Sequence, residues 1–421
     1  MAEIRPFKGL RYTKKAGDIT ELVCPPYDII SPAQREEYIK ENPYNVIRLE
    51  LPAGENPYEE AKKILEEWMA EEILKTDMDE GLYIYELGFR ENVETGRENS
   101  LKGLICRVRL EEFENNVVLP HEETLSKAKE DRFNLMKATG CNFSQIYSLY
   151  PDESHVTRER MDNLTSSQTP RYDFSDGLVN HKLWVINDPV TIAAVCGDFK
   201  ERKLYIADGH HRYETALNYR NYCRENNIYS PGSDYIMMFL ADMTDPGLVV
   251  FPTHRLVRGL EGFDGDKILE ACAEYFDVKP LDTAEEIDPA MENADGHVFG
   301  YCDGSRAALL TLKDPSVMAG FLPDMSEDYR MLDVSVLHNL ILEKLLGIDK
   351  ENMANQKNLT YTRSFDEAVE SVKSGESNCA FFLCPTKVSE IAAVAANGEK
   401  MPQKSTYFYP KMITGLVMRV I

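Results

Sequence analysis

No stretch of this sequence is long and apolar enough to cross a bilayer as a helix. Its apolar runs, such as residues 248–252 and 379–385, fall far short of the roughly 20 residues a span requires. The opening Met1-Ala2-Glu3-Ile4-Arg5-Pro6 leads into no apolar stretch behind a basic start, so no secretory leader is expected. Nine cysteines are present, but none form a Cys-x-x-Cys pair, which argues against both a zinc site and a disulfide framework. Dispersed thiols in odd number fit a reducing compartment, where Cys serves as a small core residue, and the cytoplasm is the expected location. Positive charge is also scarce. The 47 Lys and Arg stand against 71 Asp and Glu, giving a formal net charge of −24, with no basic run of five or more. Gripping a polyanion calls for a basic surface, because phosphate neutralisation dominates the affinity, so no nucleic-acid or membrane partner is expected. A small anion stays open as a ligand, since a local nest of amides and cations does not need a basic protein. The common nucleotide signatures are missing as well: there is no G-x-x-x-x-G-K-[ST] loop, no G-x-G-x-x-G, no G-x-S-x-G elbow and no kinase H-R-D set.

What is present is ordinary globular composition, 43% hydrophobic and 28% charged, in 421 residues, too many for a single compact core. Ser31 before Pro32 reads as a helix cap with proline at the first helical position. A helix is expected from Pro57 to about residue 74, with Ala61, Ile64, Leu65, Trp68 and Met69 on its buried face. Residues 82–87 and 101–110 read as adjacent antiparallel strands around a polar loop. Helix resumes near 125–137, strands are expected at 182–187 and 203–207, and a helix follows from Arg212 to about 226. Residues 235–241 and 248–251 read as a pair of buried strands. Beyond Leu260 a second set begins, with helices at 267–275, 334–346 and 366–374 and strands at 297–302, 307–312 and 379–384. The expectation is a mixed α/β protein with an N-terminal domain at 1–260 and a C-terminal αβ domain at 261–421. The soft boundary falls near the glycines of 258–264.

Three segments could carry chemistry. In Asp208-Gly209-His210-His211-Arg212-Tyr213 an apolar strand ends at a glycine and a helix begins at once. That arrangement aims backbone N–H groups and the positive end of the helix dipole at whatever lies over the loop. His210, His211 and Arg212 add donors, and Arg212 is expected to grip an anionic oxygen pair bidentately. The plainer alternative is a helix start capped by Asp208. The second segment is Pro120-His121-Glu122-Glu123-Thr124, ahead of a helix carrying Arg132. Carboxylates beside a histidine can supply a general base or hold a divalent cation, and they also favour a helix's first turn. The zinc-protease pattern is ruled out, because its second histidine would stand at Leu125. The third is Met401-Pro402-Gln403-Lys404-Ser405-Thr406-Tyr407-Phe408-Tyr409-Pro410-Lys411. Here Lys404, beside two hydroxyls, could cover a ligand phosphate, or the segment could pack its rings on the core. The turn Pro25-Pro26-Tyr27-Asp28 is similarly open.

Taken in order, Cys24-Pro25-Pro26-Tyr27-Asp28, Pro120-His121-Glu122-Glu123-Thr124, Asp208-Gly209-His210-His211-Arg212-Tyr213 and Pro402-Gln403-Lys404-Ser405-Thr406 resemble the domain-of-unknown-function family numbered one thousand and fifteen. The resemblance runs over essentially the whole chain. The Asp-Gly-His-His-Arg segment is also similar to the phosphate-binding motif of the ParB/sulfiredoxin-like fold, which includes free-serine kinases. That likeness implies a ParB/sulfiredoxin-like core with a large insertion. It implies a nucleotide-dependent phosphotransferase using ATP or ADP with Mg2+ on a small hydroxyl metabolite, free L-serine first among them. It makes Glu122 the base, with His121 and Glu123 beside it, and places phosphates over Asp208, Gly209, His210, His211 and Arg212. Tyr27, Asp28, Thr124, Arg132 and Lys404 are implied in support, and Asp208 and Glu122 as metal ligands. Two other readings use the same residues: a nucleotide-binding regulator without turnover, and a metal-dependent phosphatase acting on phosphoserine. The sequence departs from those relatives in placing about eighty residues between the two motifs, and in having His210 where sulfiredoxin chemistry would need a thiol. The helix-turn-helix domain of partition proteins is not apparent.

Overall fold

The computed structural model describes residues 1–90, 98–122 and 126–421, the last with backbone alone at 126–128. The chain divides into two compact units. The first holds Met1–Pro120, Thr124–Val249 and Pro410–Ile421; the second holds His121–Glu123 and Val250–Tyr409. A single cut at residue 260 therefore does not describe the chain, because the segment after residue 409 returns to the first unit.

The first unit is built on a nine-stranded mixed sheet. Its order is Val118–Leu119, Leu204–Asp208, Ile146–Tyr150, Tyr235–Asp242, Glu98–Arg109, Leu82–Arg90, Val179–Ile186 and Tyr172–Ser175, with Ile4–Arg5 pairing off this path to Glu98–Arg109. The strand Tyr235–Asp242 is buried along its whole length, as its near-continuous apolar run requires of a central strand covered on both faces. It runs antiparallel to Glu98–Arg109 and parallel to Ile146–Tyr150. Where it crosses Gly103 the two chains approach so closely that an added Cβ would lie 2.4 Å from the Phe239 ring. Only glycine fits there. The expected pairing of the strands near 82 and 101 is present, in register from Tyr83↔Ile105 to Arg90↔Glu98. Residues 91–97 of the intervening loop lie outside the described residues.

Helix residues Tyr213, Ala216 and Leu217 pack on the sheet, and other helices build a second core. Pro57–Ala70 starts with its proline at N1 and buries Ala61, Ile64, Leu65 and Trp68, a stripe at helical spacing. Met69, expected on that face, is instead exposed. Ser31 caps Pro32–Glu41 in a full capping box with Gln34. His210–Glu225 is pinned through Tyr213, fully buried, whose hydroxyl donates to the Glu111 carbonyl at 2.8 Å and accepts from the Glu111 N–H at 3.0 Å. The returning segment is stitched in by Arg419, buried, whose guanidinium donates to Asn142 Oδ1 at 3.0 Å and to the Tyr235 carbonyl at 2.7 Å. Its strand Arg419–Val420 pairs antiparallel with Cys141–Asn142.

The second unit has a six-stranded antiparallel sheet. The order is Phe276–Leu281, Ala307–Leu312, Val298–Cys302, Cys379–Phe382, His254–Val257 and Leu359–Thr362. Helix Phe365–Lys373 lays Ala368, Val369 and Val372 on its core. The helix expected over 334–346 begins as Asp333–Val336 and then unwinds into a π-helix over Leu337–Glu343. Val249–Phe251, expected to be buried, is half-buried. No helix among the described residues is long and apolar enough to cross a membrane.

Candidate functional site

In the first unit the site is made by a strand that breaks its own register. Leu204–Asp208 pairs antiparallel with Ile146–Tyr150, but the register shifts between Ile206 and Asp208, so Ala207 is the extra residue of a bulge. Bulges re-aim the side chain that follows. Gly209 then takes a left-handed backbone, φ 97°, and serves as N-cap of His210–Glu225. With glycine as the cap residue, no cap side chain bonds the first-turn N–H groups, which with the helix dipole favour an anion over the loop. Asp208 is therefore not the cap. Its Oδ1 accepts from Lys411 Nζ at 2.6 Å and its Oδ2 from Arg212 Nη2 at 2.8 Å. Burial alone would push this carboxyl up. Lys411, Arg212 and His210 more than offset that and hold it well below the usual carboxylate range.

Arg212 does not reach out as an open fork. It folds back beneath the loop, where Nη1 donates to the Gln145 carbonyl at 2.7 Å and to Ser144 Oγ at 3.1 Å. A Cβ on Gly209 would stand 2.9 Å from its guanidinium, so the close packing of loop and arginine needs the glycine. From Ser144 the network continues inward. Ser144 Oγ donates to Glu50 Oε1 at 2.8 Å, and Arg132 donates to the Glu50 carbonyl at 2.7 Å. Burial raises the Glu50 carboxyl above its ordinary value, with Arg132 and Ser144 pulling the other way. The Tyr27 ring lies 4.1 Å from the Arg132 guanidinium, and burial pushes the Tyr27 hydroxyl up to about 12. Tyr27 and Arg132 thus join Asp208 and Arg212 in one chain of contacts, whereas Asp28 stays exposed beside Tyr27. His210 is buried and His211 half-buried in the helix's first turn.

The second unit brings together two other motifs singled out in the sequence. The Met401 N–H donates to the His121 carbonyl at 2.7 Å, and Glu122 forms a parallel bridge with Met401. Glu122 Oε1 accepts from the Lys404 backbone N–H at 3.1 Å, and His121 Nε2 lies 3.0 Å from Thr406 Oγ1. His121 is buried with its ring edge-on to Phe408, 6.1 Å between centroids. Lys404 holds Glu122 through its backbone, not its ammonium, and adopts a left-handed φ of 57° to do so. Its side chain is exposed. Glu123 and Thr124 lie outside the described residues.

Sequence reasoning missed Glu50, Ser144 and the role of Lys411. A lone Glu in an apolar stretch, Ile47-Arg48-Leu49-Glu50-Leu51, was the available signal for the first, since a buried acid needs partners. The proposed metal ligands do not fit as a pair. Asp208 already binds two cations, Glu122 accepts from a backbone amide, and no group of three His, Cys, Asp or Glu among the described residues could hold an ion.

The chain is similar in structure to a conserved hypothetical protein from Pyrococcus furiosus, at 15% identity and a TM-score of 0.35, covering 74% of this chain and 95% of that one. It is similar to a free serine kinase in complex with AMP, at 14% identity and a TM-score of 0.37, covering 74% and 92%. It is similar to SbnI with C-terminal truncation from Staphylococcus aureus, at 10% identity and a TM-score of 0.36, covering 74% and 86%. No curated protein matches the sequence. The family model described as "Protein of unknown function (DUF1015)" matches residues 4–335, well over half of the chain, and to that family the protein belongs.

Proposed function

We propose that this protein is a phosphotransferase that moves a phosphoryl group from ATP or ADP to a small hydroxyl metabolite, with free L-serine the leading acceptor. The observation that carries the reading is the pair of cations, Lys411 and Arg212, gathered on Asp208 at a glycine-capped helix start. Phosphoryl transfer asks little covalent chemistry of a protein, and mainly positioning and neutralisation of charge. Here the first-turn amides and Lys411 face the phosphates. Arg212, held by Asp208, Ser144 and Gln145, fixes the loop from beneath and adds its charge. The sequence resemblance makes Glu122 the base for the acceptor hydroxyl, whose oxygen bonds to phosphorus as the nucleotide oxygen leaves. The lysine that contacts Asp208 exchanges part of that contact for a phosphate oxygen. The donor and acceptor classes are those implied by the sequence resemblance. Magnesium, implied by the same resemblance, would further neutralise the nucleotide's phosphates when bound with it, and no step passes through it.

A second reading has its own support. Arg212 and Lys411 are already satisfied by Asp208, as in a latch that an incoming anion would reset. That suits a nucleotide-binding regulator without turnover. Mass spectrometry separates the two. The protein is incubated with L-serine, magnesium and ADP, ATP or CTP in turn. Phosphoserine that appears with one donor and disappears in Glu122→Gln supports the transferase. Nucleotide binding with no phosphorylated product from any donor refutes it.

A further inference from the structure

The second unit contains a cavity of about 160 Å³ that the phosphoryl reading does not use. Its walls include Tyr329, Tyr361, Met353 and His338, and one side is formed by Met401, Pro402 and Gln403. That volume is close to the ~150 Å³ of an engineered protein cavity known to hold benzene.

Three features say what it takes. The first is a buried charge. Arg255 is 1% exposed, and its guanidinium donates to the Thr253 and Lys404 carbonyls and toward His338 Nε2. No carboxylate forms an ion pair with it among the described residues. A buried guanidinium paired only with dipoles leaves a positive field behind the wall it supports. Burial pulls the Arg255 pKa down to about 10, with Tyr361 and Glu122 offsetting only part of that.

The second feature is a histidine with a fixed tautomer. Arg255 can only donate, so His338 Nε2 is the acceptor and its proton sits on Nδ1. Burial and Arg255 keep this ring neutral, well below its ordinary pKa. His338 is 7% exposed and lines the cavity, and its Nδ1–H has no hydrogen-bond partner among the described residues. The third feature is the π-helix Leu337–Glu343. Residues five apart on an α-helix point roughly 140° away from each other. The wider winding, seen where the Lys344 N–H donates to the Asn339 carbonyl at 3.3 Å, brings His338, Asn339 and Glu343 to one cavity. π-Helical turns are unfavourable in isolation and recur at functional sites.

We infer that this cavity binds a small organic acid built on one planar ring, its carboxylate turned to the His338 wall and its ring against Tyr361 and Met353. The flat apolar walls select the ring, and the buried cation with its neutral histidine donor selects the negative charge. Exposed Lys350 at the rim adds attraction. Glu343, also exposed at the rim, opposes it from water, where its charge is screened. The site stands apart from the phosphoryl reading: it needs neither nucleotide nor turnover.

The test is calorimetric titration and thermal unfolding of the full chain with sodium benzoate, benzamide and benzylammonium chloride at constant ionic strength. Benzoate is expected to bind at millimolar concentration or tighter and raise the melting temperature by about 2–4 °C at saturation. Benzamide should bind at least tenfold more weakly, and benzylammonium not at all. Ala354→Trp, a plug from the exposed rim of the cavity, should abolish the benzoate response while leaving the unliganded melting temperature in place. Lys350→Glu should weaken benzoate about fivefold. Equal binding of benzoate and benzamide would overturn the choice of an anion. A benzoate response that survives Ala354→Trp would overturn the choice of cavity, and no response to benzoate would overturn both.

Discussion

Replacing Asp208 with Asn removes one negative charge and leaves two cations to face each other. At an effective dielectric of about 20, the carboxylate attracts Lys411 Nζ at 2.6 Å and Arg212 Nη2 at 2.8 Å by about 6 kcal/mol each, before costs. Most of that gross attraction is cancelled by desolvation of three charges and by repulsion between the two cations. Removing one partner of a fully buried pair costs ~3–5 kcal/mol. The three side chains here are 11–20% exposed, which reduces the expected loss to about 2–3 kcal/mol. The assay is urea unfolding at pH 7.5 of wild type, Asp208→Asn, Lys411→Met and the double variant. The double variant should be less destabilised than the sum of the singles by more than about 1 kcal/mol, because Lys411 loses its purpose once Asp208 is neutral. Pyrophosphate should restore Asp208→Asn more than it stabilises wild type, since the freed cations seek an anion. An Asp208→Asn variant within about 0.5 kcal/mol of wild type, or strict additivity of the pair, would refute the reasoning.

The other predictions are briefer. Glu122→Gln should cut phosphoserine formation about 100-fold or more with nucleotide affinity nearly unchanged, whereas Arg212→Ala should lose both; equal losses of affinity would sink the role assignment. Gly209→Ala forces a side chain into a left-handed backbone and against Arg212, so it should cost about 2 kcal/mol by urea unfolding and weaken nucleotide binding as well. Burial and Arg255 depress the His254 pKa to about 4, so the fold keeps this ring neutral while the unfolded chain protonates it near 6.5. The stability this gives is complete above that pH and is lost as pH falls, about 2 kcal/mol by pH 5. His254→Gln should flatten the drop between pH 7.5 and 5, and an unchanged slope would count against it.

Local signals carried much of the fold. Ser31-Pro32 and Asn56-Pro57 mark helix starts because proline costs nothing where the N–H is already orphaned, and both helices begin there. The central strands were legible because burial on both faces demands continuous apolar runs. The π-helix was not, since its i→i+5 bonding follows from what packs against Leu337–Glu343 and not from any residue within it. The site shows the same divide. Gly209 and its helix start could be read directly, because a glycine between strand and helix has a local meaning. That Arg212 turns inward depends on Ser144 and Gln145, and no pattern in the sequence joins them to residue 212. Lys411 lies 203 residues from Asp208, so its part in the cluster belongs to topology alone.

That separation has a consequence for synthesis. Lys411 and the strand Arg419–Val420 leave the ribosome only after all of the second unit has been translated. During that interval the Asp208 loop exists without one of its two cations, and Cys141–Asn142 without its antiparallel neighbour. The nascent first unit is therefore held unfinished while the second is made. The Asp208 cluster is completed by the docking of the segment that begins at Pro410, whose closure entropy is set by the whole intervening chain. The contact between Asp208 and Lys411 therefore cannot form until the second unit has been made.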